Sequence, residues 1–285
     1  MPIASLDRDG NPLPTDLCTA CGLFFTNPMP TEAALAAYYR SAYRAEYVDP
    51  SNRPPDDYVA DRKAEAARRA SIVRTIIDPD RDRRTLDFGC GLGELVVALA
   101  NSGYEAHGFE PGEVWSQHTG NPRVRQGDWQ TADYADGSFD FVSIIHVLEH
   151  LRRPLDCLTK IERLLKSDGL LWIEVPDMQA YARKNHKRFH FAHVLGFSRD
   201  NLIAAAQRCG FTPVRFITRH EIGKRRDQVS IVFRKARPGD VIAIDLAATV
   251  ARNRKDYGTR SPLREAWAGA QRWAGSALRL SRPGP

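Results

Sequence analysis

Leu86-Asp87-Phe88-Gly89-Cys90-Gly91-Leu92-Gly93, followed by Glu105-Ala106-His107-Gly108-Phe109-Glu110, is the stretch on which the reading of this chain turns. It reads as strand, glycine turn, helix, strand, acid. Glycines let the backbone turn sharply where the strand ends and let a ligand come close to it. Glu110 lies 21 positions after Gly89, at the end of the second strand, where a carboxylate accepts hydrogen bonds from a ribose. That order builds a nucleotide-sized pocket with an acid at its far wall.

The same residues exclude two ligand classes. A dinucleotide loop would place a glycine at position 94, which is Glu94, and an ATP loop would end in Gly-Lys-Ser/Thr, which does not follow Gly91. A glutamate at the helix start also repels a pyrophosphate seated on the helix dipole. The expected ligand is therefore a nucleoside derivative without phosphates, and an NAD-dependent oxidoreductase is disfavoured.

Outward from this turn the pattern alternates. A helix is expected over 57–77, strands over 84–88, 105–110, 123–126 and 139–145, and helices over 93–101 and from near Gly112. A helix over 154–166, a strand over 170–175 and a helix over 199–209 follow, and strands near 213–218 and 228–235 close the pattern as a hairpin. Alternating strands and helices imply a mostly parallel α/β sheet. Thr31 is the expected N-cap of a helix over 32–39.

Composition sets further bounds. The chain has 285 residues, is 42% hydrophobic and carries a net charge of +6. No apolar run is long enough to span a bilayer, and residues 1–11 lack the apolar segment of a secretory signal, so a cytoplasmic protein is expected. The five cysteines form no disulfide framework. Eight of the basic residues and only three acids fall in 241–285, so the positive charge belongs to the tail. There Leu263, Trp267, Ala270, Trp273, Ala274 and Ala277 recur at helical spacing among arginines. This marks 260–282 as a candidate contact with an anionic membrane or a protein. No nucleic-acid-binding module is recognisable.

The Asp-x-Gly-x-Gly-x-Gly pattern resembles the first motif of class I S-adenosylmethionine-dependent methyltransferases. Asp136-Gly137-Ser138-Phe139-Asp140-Phe141-Val142 resembles their fourth-strand motif, followed by His146-Val147-Leu148-Glu149-His150-Leu151. Leu164-Leu165-Lys166-Ser167-Asp168-Gly169 and Phe197-Ser198 with Cys209-Gly210-Phe211 match later blocks in the right order. The resemblance implies a Rossmann-like, seven-stranded, mostly parallel α/β sheet with a C-terminal antiparallel hairpin, helices on both faces and an N-terminal helical cover. It implies S-adenosyl-L-methionine as cofactor. Gly89, Gly91 and Gly93 would cradle its methionine end, with Asp87 nearby through water. Glu110 would take the ribose hydroxyls, Asp128 and Trp129 the adenine, and His146 would lie beside the sulfonium.

Three divisions are expected: a leader over 1–56 with a Cys-x-x-Cys turn and a lid helix, a methyltransferase domain over 57–236, and a basic helical extension over 237–285. The leader, with Cys18-Thr19-Ala20-Cys21-Gly22, Tyr38-Tyr39 and Tyr43, resembles that of bacterial methyltransferases acting on sugars or other secondary metabolites. The expected acceptor is a small molecule or a sugar-containing envelope precursor, methylated on oxygen or carbon. The other readings are a non-catalytic cofactor-binding scaffold and a ubiquinone-pathway-like O-methyltransferase.

An acceptor hydroxyl or carbon needs a base. His193 is the first candidate and His146 the second, with His150, His186 and His190 near them in the sequence. His186-x3-His190-x2-His193 has spacing open to metal binding. His146-x-x-Glu149-His150 is similar to the metal-binding segment of the ubiquinone-pathway enzymes, with His146 where they have Glu. A tetrahedral structural site needs four ligands and the leader shows one cysteine pair. No metal is expected, and Cys18 and Cys21 are the alternative to that expectation.

Overall fold

A computed structural model describes residues 1–40, 54–112, 122–180, 188–223, 227–240 and 242–258. In chain order its elements are β1 (Pro2–Leu6), β2 (Pro12–Leu17), β3 (Phe24–Thr26), α1 (Glu32–Arg40), α2 (Asp56–Val73), β4 (Arg84–Phe88), α3 (Glu94–Asn101), β5 (Glu105–Glu110) and β6 (Val124–Gln126). β7 (Phe139–Ile145), a single 3-10 turn (Leu148–His150), α4 (Pro154–Leu164), β8 (Leu165–Pro176), β9 (Leu195–Gly196) and α5 (Arg199–Arg208) come next. β10 (Phe211–Phe216), α6 (Arg219–Ile222), β11 (Gln228–Lys235) and α7 (Leu246–Tyr257) complete the series. The helix expected from near Gly112 and the tail over 260–282 lie outside the described residues, as do Tyr43 and His186.

Seven strands make the main sheet in the order β10-β11-β8-β7-β4-β5-β6. The pairings of β4 with β5 and β7, of β5 with β6 and of β7 with β8 are parallel, and β11 runs antiparallel between β8 and β10. Along β8, Leu171, Ile173 and Val175 pack on one face with Leu158 and Ile161 of α4 and Leu202 of α5. Trp172 packs on the other with Ala66 and Ala70 of α2 and Val96 of α3. This two-sided burial is why β7 and β8 read as near-continuous apolar runs.

The glycine turn is where this sheet leaves least room. Gly89 has φ +66°, and a β-carbon there would collide with Val147 Cγ2. Helix α3 then starts at Glu94, and the N–H groups of Gly89 and Cys90 both donate to Phe109 O, tying the turn to β5. Helix starts use polar caps, and at α7 Asp245 Oδ1 accepts from Ala248 N at 2.8 Å. Thr31 Oγ1 accepts from Ala34 N at 3.1 Å, and Ser198 forms a capping box with Asn201.

The structure differs from the sequence reading in several places, and α2 ends at Val73 rather than at 77. The leader is less helical than expected: β1, β2, β3 and the later β9 form a four-stranded antiparallel sheet, with α1 and α2 following it. Its strands are short and interrupted by prolines, which hid their period. Helix α4 ends at Leu164 rather than 166, because Leu165 already pairs with Phe139 of β7 and the turn at 166–169 bulges from the strand. The expected C-terminal extension begins with α7, which packs on the small sheet. Its Tyr257 contacts Phe24 and Phe189 and donates to Met178 O at 2.7 Å.

Asn253 of α7 is fully buried, donating to Gly22 O and accepting from Gln179 Nε2, both at 2.8 Å. Asn253→Ala leaves both partners unpaired, so the variant is expected to lose ~1–3 kcal/mol of stability, read as a lower midpoint in urea unfolding. A loss below ~0.5 kcal/mol would show that α7 is not fastened there.

Candidate active site

A cleft of roughly 1390 Å³ opens at the carboxyl ends of β4, β5 and β7. Ligands bind at this edge of open α/β sheets, where loops leave the strands. Asp87, Gly89, Gly91, Glu110, Asp128, Trp129, His146 and His193 all line the cleft, so the structure brings most of the expected residues together. Gly93 is the residue before α3, with φ +71°, between Leu92 and Glu94 of the cleft lining.

Glu110 ends β5 and is buried at 8% exposure. Its Oε2 accepts from Gly91 N at 2.9 Å and its Oε1 from Gly112 N at 2.7 Å. Burial pushes its carboxyl up to about 7 against the pull of those two amides, with the nearby Asp87 adding to the rise. Asp87 is buried beneath the turn and accepts from Ser143 Oγ of β7 at 2.6 Å. Burial raises it to about 6, opposed by Ser143 and by Arg69. Gly91, at φ +54°, meets nothing within 4 Å of where a β-carbon would stand. A side chain there would fill open space beside the acid. The loop offers backbone amides and buried acids, with no cation for a phosphate. That donor set fits a ligand bearing hydroxyls and positive charge.

Asp128 and Trp129 follow β6 at the rim of the cleft. Asp128 Oδ1 accepts from the backbone of Gln130 and Thr131 at 2.9 and 3.1 Å, so this oxygen shapes its own turn. Trp129 packs partly against the main core and partly faces the cleft.

His146 follows β7 in the left-handed region, at φ +55°, which non-glycine residues rarely adopt. Its N–H donates to Glu174 O at 2.8 Å, and this bond holds the unusual turn. The imidazole Nδ1 lies 3.3 Å from Glu149 Oε1, and Nε2 lies 2.6 Å from the Gln228 amide and 3.5 Å from Glu174 Oε1. Burial disfavours its charge, but Glu149 and Glu174 outweigh burial and raise its pKa. Glu174 also pairs with Arg69 of α2 at 2.7 Å and accepts from Ser230. Burial drives Glu174 upward, yet Arg69 and His146 hold it at about 2.

The other histidines form a second group. His150 Nδ1 lies 2.7 Å from Tyr39 Oη and 3.0 Å from Ala192 O. His190 Nε2 lies 3.0 Å from Tyr38 Oη. The adjacent tyrosines of α1 therefore seat that helix on the site, where the lid was expected. The rings of His150 and His193 stand edge to face at 4.7 Å, and those of His190 and His193 at 5.3 Å. Burial, then the charge of His150, lowers His193 to about 3.

Sequence reasoning missed Arg69, Glu174 and Gln228. Glu174 carried a readable signal, a charge inside the apolar run Leu170–Val175, but its partner Arg69 lies 105 positions away. Cys18 and Cys21 do not line the cleft. They flank the turn between β2 and β3, and no third metal-ligating side chain gathers with them among the described residues. No helix among the described residues is long and apolar enough to cross a membrane.

The model of a family described as a methyltransferase domain matches residues 58–215, just over half of the chain. A ubiquinone biosynthesis O-methyltransferase of Actinobacillus pleuropneumoniae serotype 5b (strain L20) is 35% identical over 104 residues, covering 32% of this chain and 44% of that one. One from Pseudomonas aeruginosa (strain LESB58) is 28% identical over 119 residues, covering 39% and 49%. The matched part thus spans about half the length of these curated relatives. Among solved structures, a Burkholderia thailandensis 1,6-didemethyltoxoflavin-N1-methyltransferase, with bound 1,6-didemethyltoxoflavin and S-adenosylhomocysteine, has a TM-score of 0.54. It is 20% identical and covers 79% of this chain and 96% of that one. A putative methyltransferase of Haloferax volcanii, in complex with a methyltransferase activator, has a TM-score of 0.53 at 16% identity, covering 64% and 93%. Both likenesses show the fold. With the family match, the sheet order and the glycine turn closed by a buried acid in agreement, the chain belongs to the methyltransferase domain family.

Proposed function

We propose that the chain methylates an oxygen or carbon of a small molecule, a sugar-containing envelope precursor included. One observation carries this reading: a single cleft runs from the Glu110 end of the glycine turn to the chamber of Tyr39, His150 and His193. A donor site and an acceptor site on one cleft are what methyl transfer requires. The curated relatives are O-methyltransferases by name, which favours oxygen.

In this reading Gly89, Gly91 and Gly93 hold the methionine end of S-adenosylmethionine, and Asp87 balances its ammonium from below. Glu110 accepts from the ribose hydroxyls, and Asp128 and Trp129 border the adenine. The bound cofactor supplies a methyl group already activated by its sulfonium. The chain's own task is alignment and exclusion of water. α1 covers the acceptor side through Tyr38 and Tyr39, which seat on His190 and His150. His193 faces the acceptor, and among the described residues no hydrogen bond engages its ring nitrogens, so a lone pair is directed at an acceptor hydroxyl. His146 has both ring nitrogens engaged, which suits it to holding Glu149 in place rather than to taking a proton.

Calorimetry with S-adenosylmethionine and S-adenosylhomocysteine tests the cofactor half. Glu110→Ala is expected to weaken binding by ~1.5–3 kcal/mol, roughly ten- to hundredfold. Unchanged affinity would move the ribose elsewhere. Binding by the wild type without turnover across sugar, phenol and enol acceptors would favour a scaffold role.

The position of Glu110 near 7 gives a pH dependence. Hydroxyl donors need its ionised form, so cofactor affinity should fall as pH drops below about 7 and level off above it. Binding at pH 6 should release protons, measured as a dependence of the binding heat on buffer ionisation enthalpy. Affinity that is flat from pH 6 to 8, with no proton release, would contradict this assignment.

A further inference from the structure

The turn between β2 and β3 holds Cys18 and Cys21, and methyl transfer uses neither. Gly22 N donates to Cys18 O at 2.9 Å, and Cys18 N donates to Leu23 O at 2.8 Å. A single turn closed in this way puts residues 18 and 21 on one side, with Cα atoms in the ~4.4–6.8 Å range that a disulfide spans. The two thiols are in hydrogen-bond contact with each other. Both are free and partly exposed, so a reagent in solution reaches them.

The turn is fastened from behind. Gly22 is buried at φ +74°, its carbonyl accepts from Asn253 of α7 at 2.8 Å, and a β-carbon on it would meet Thr249 Cγ2 at 3.0 Å. The fold therefore holds the two sulfurs together before any bond joins them. The pair is also asymmetric. Burial raises the Cys18 thiol, but the N–H groups of Ala20 and Cys21 and the Cys21 thiol outweigh burial and bring it below the ordinary thiol value. Cys21 is raised, chiefly by burial. A lowered first thiol and a raised second one suit the attacking and resolving positions of thiol–disulfide exchange. No third metal-ligating side chain gathers with them among the described residues, whereas a closed zinc site needs four.

We propose that Cys18 and Cys21 form a dithiol site that exchanges with low-molecular-weight disulfides, Cys18 attacking and Cys21 resolving. The Cys18 thiolate attacks one sulfur of RS–SR; that bond breaks, and RS⁻ leaves and takes up a proton. Cys21, giving up its proton, then attacks Cys18 Sγ in the mixed disulfide and expels the second RS⁻, which is protonated in turn. The two cysteines lose two electrons and two protons in all, and RS–SR becomes two RSH. Neither sulfur lines the cleft, so this chemistry is independent of the methyl-transfer reading.

The test reduces the untagged full chain, removes reductant and metal, and adds glutathione disulfide near neutral pH. Remaining thiols are trapped by alkylation and mapped by mass. The expected product lacks two hydrogens within the peptide that carries Cys18 and Cys21, and excess reduced glutathione restores them. Cys21→Ser should accumulate a glutathione adduct on Cys18, and Cys18→Ser should react at Cys21 about tenfold more slowly or worse. The proposal is overturned if the wild type stays reduced, stops at the mixed disulfide, or joins Cys90, Cys157 or Cys209 instead. It is also overturned if the two serine variants react at equal rates. Stoichiometric Zn²⁺ in the freshly purified chain, absent from the Cys18→Ser/Cys21→Ser double variant, would overturn it in favour of a metal site. Should a serine variant fail to fold, the bond mapped in the wild type decides.

Discussion

Four carboxylates, Asp87, Glu110, Glu149 and Glu174, are buried at the carboxyl edge of the main sheet, and the site is organised by how each is compensated. Burying an unpaired charge costs far more than one side chain contributes elsewhere in a fold. Glu174 is met by Arg69 and Ser230, and it holds His146 in a left-handed turn through its backbone carbonyl. Glu149 is met on one oxygen only. Asp87 and Glu110 have hydrogen-bond donors, and Asp87 also feels Arg69, yet burial outweighs these and both rise toward neutrality. The two ends of the cleft therefore differ electrostatically, one end holding acids poised to ionise when a cation arrives and the other an ionised carboxylate among histidines.

That asymmetry matches the two halves of a methyl transfer. The donor carries positive charge and loses it as the methyl leaves, so buried acids at the donor end favour the charged ligand over its neutral product. The acceptor must become electron-rich, which a neutral imidazole can promote. The helices outside the central alternation serve these needs. α2 brings Arg69 under the sheet edge, and α1 brings two tyrosines over the histidines.

The small sheet and α7 form a brace rather than part of the chemistry. Met178 and Phe189, from the connection after β8, pack into the core of the small sheet with Phe24 and Tyr257. This connection also carries His190 and His193, so the brace fixes where those rings stand. Sequence reading treated the leader, the methyltransferase domain and the extension as successive parts. In the folded chain the leader and α7 grip one connection of the central domain.

Local pattern determined the central alternation, the glycine turn and Glu110, because each depends on neighbours within a strand, a turn or one β-α-β unit. The period of apolar residues and the conformational freedom of Gly89 are properties of short segments. Even there, the end of α4 was set by a pairing with Phe139 that no local signal announces. The site beyond the cofactor turn was decided by tertiary structure. His146, Glu149, His150, His190 and His193 were all visible as candidates, but which of them share a partner depends on β7 and β8 lying side by side. It depends equally on Arg69 and Gln228 arriving from elements far along the chain. Charge compensation in a buried site is a sum over everything that touches it, and only the folded chain states the terms.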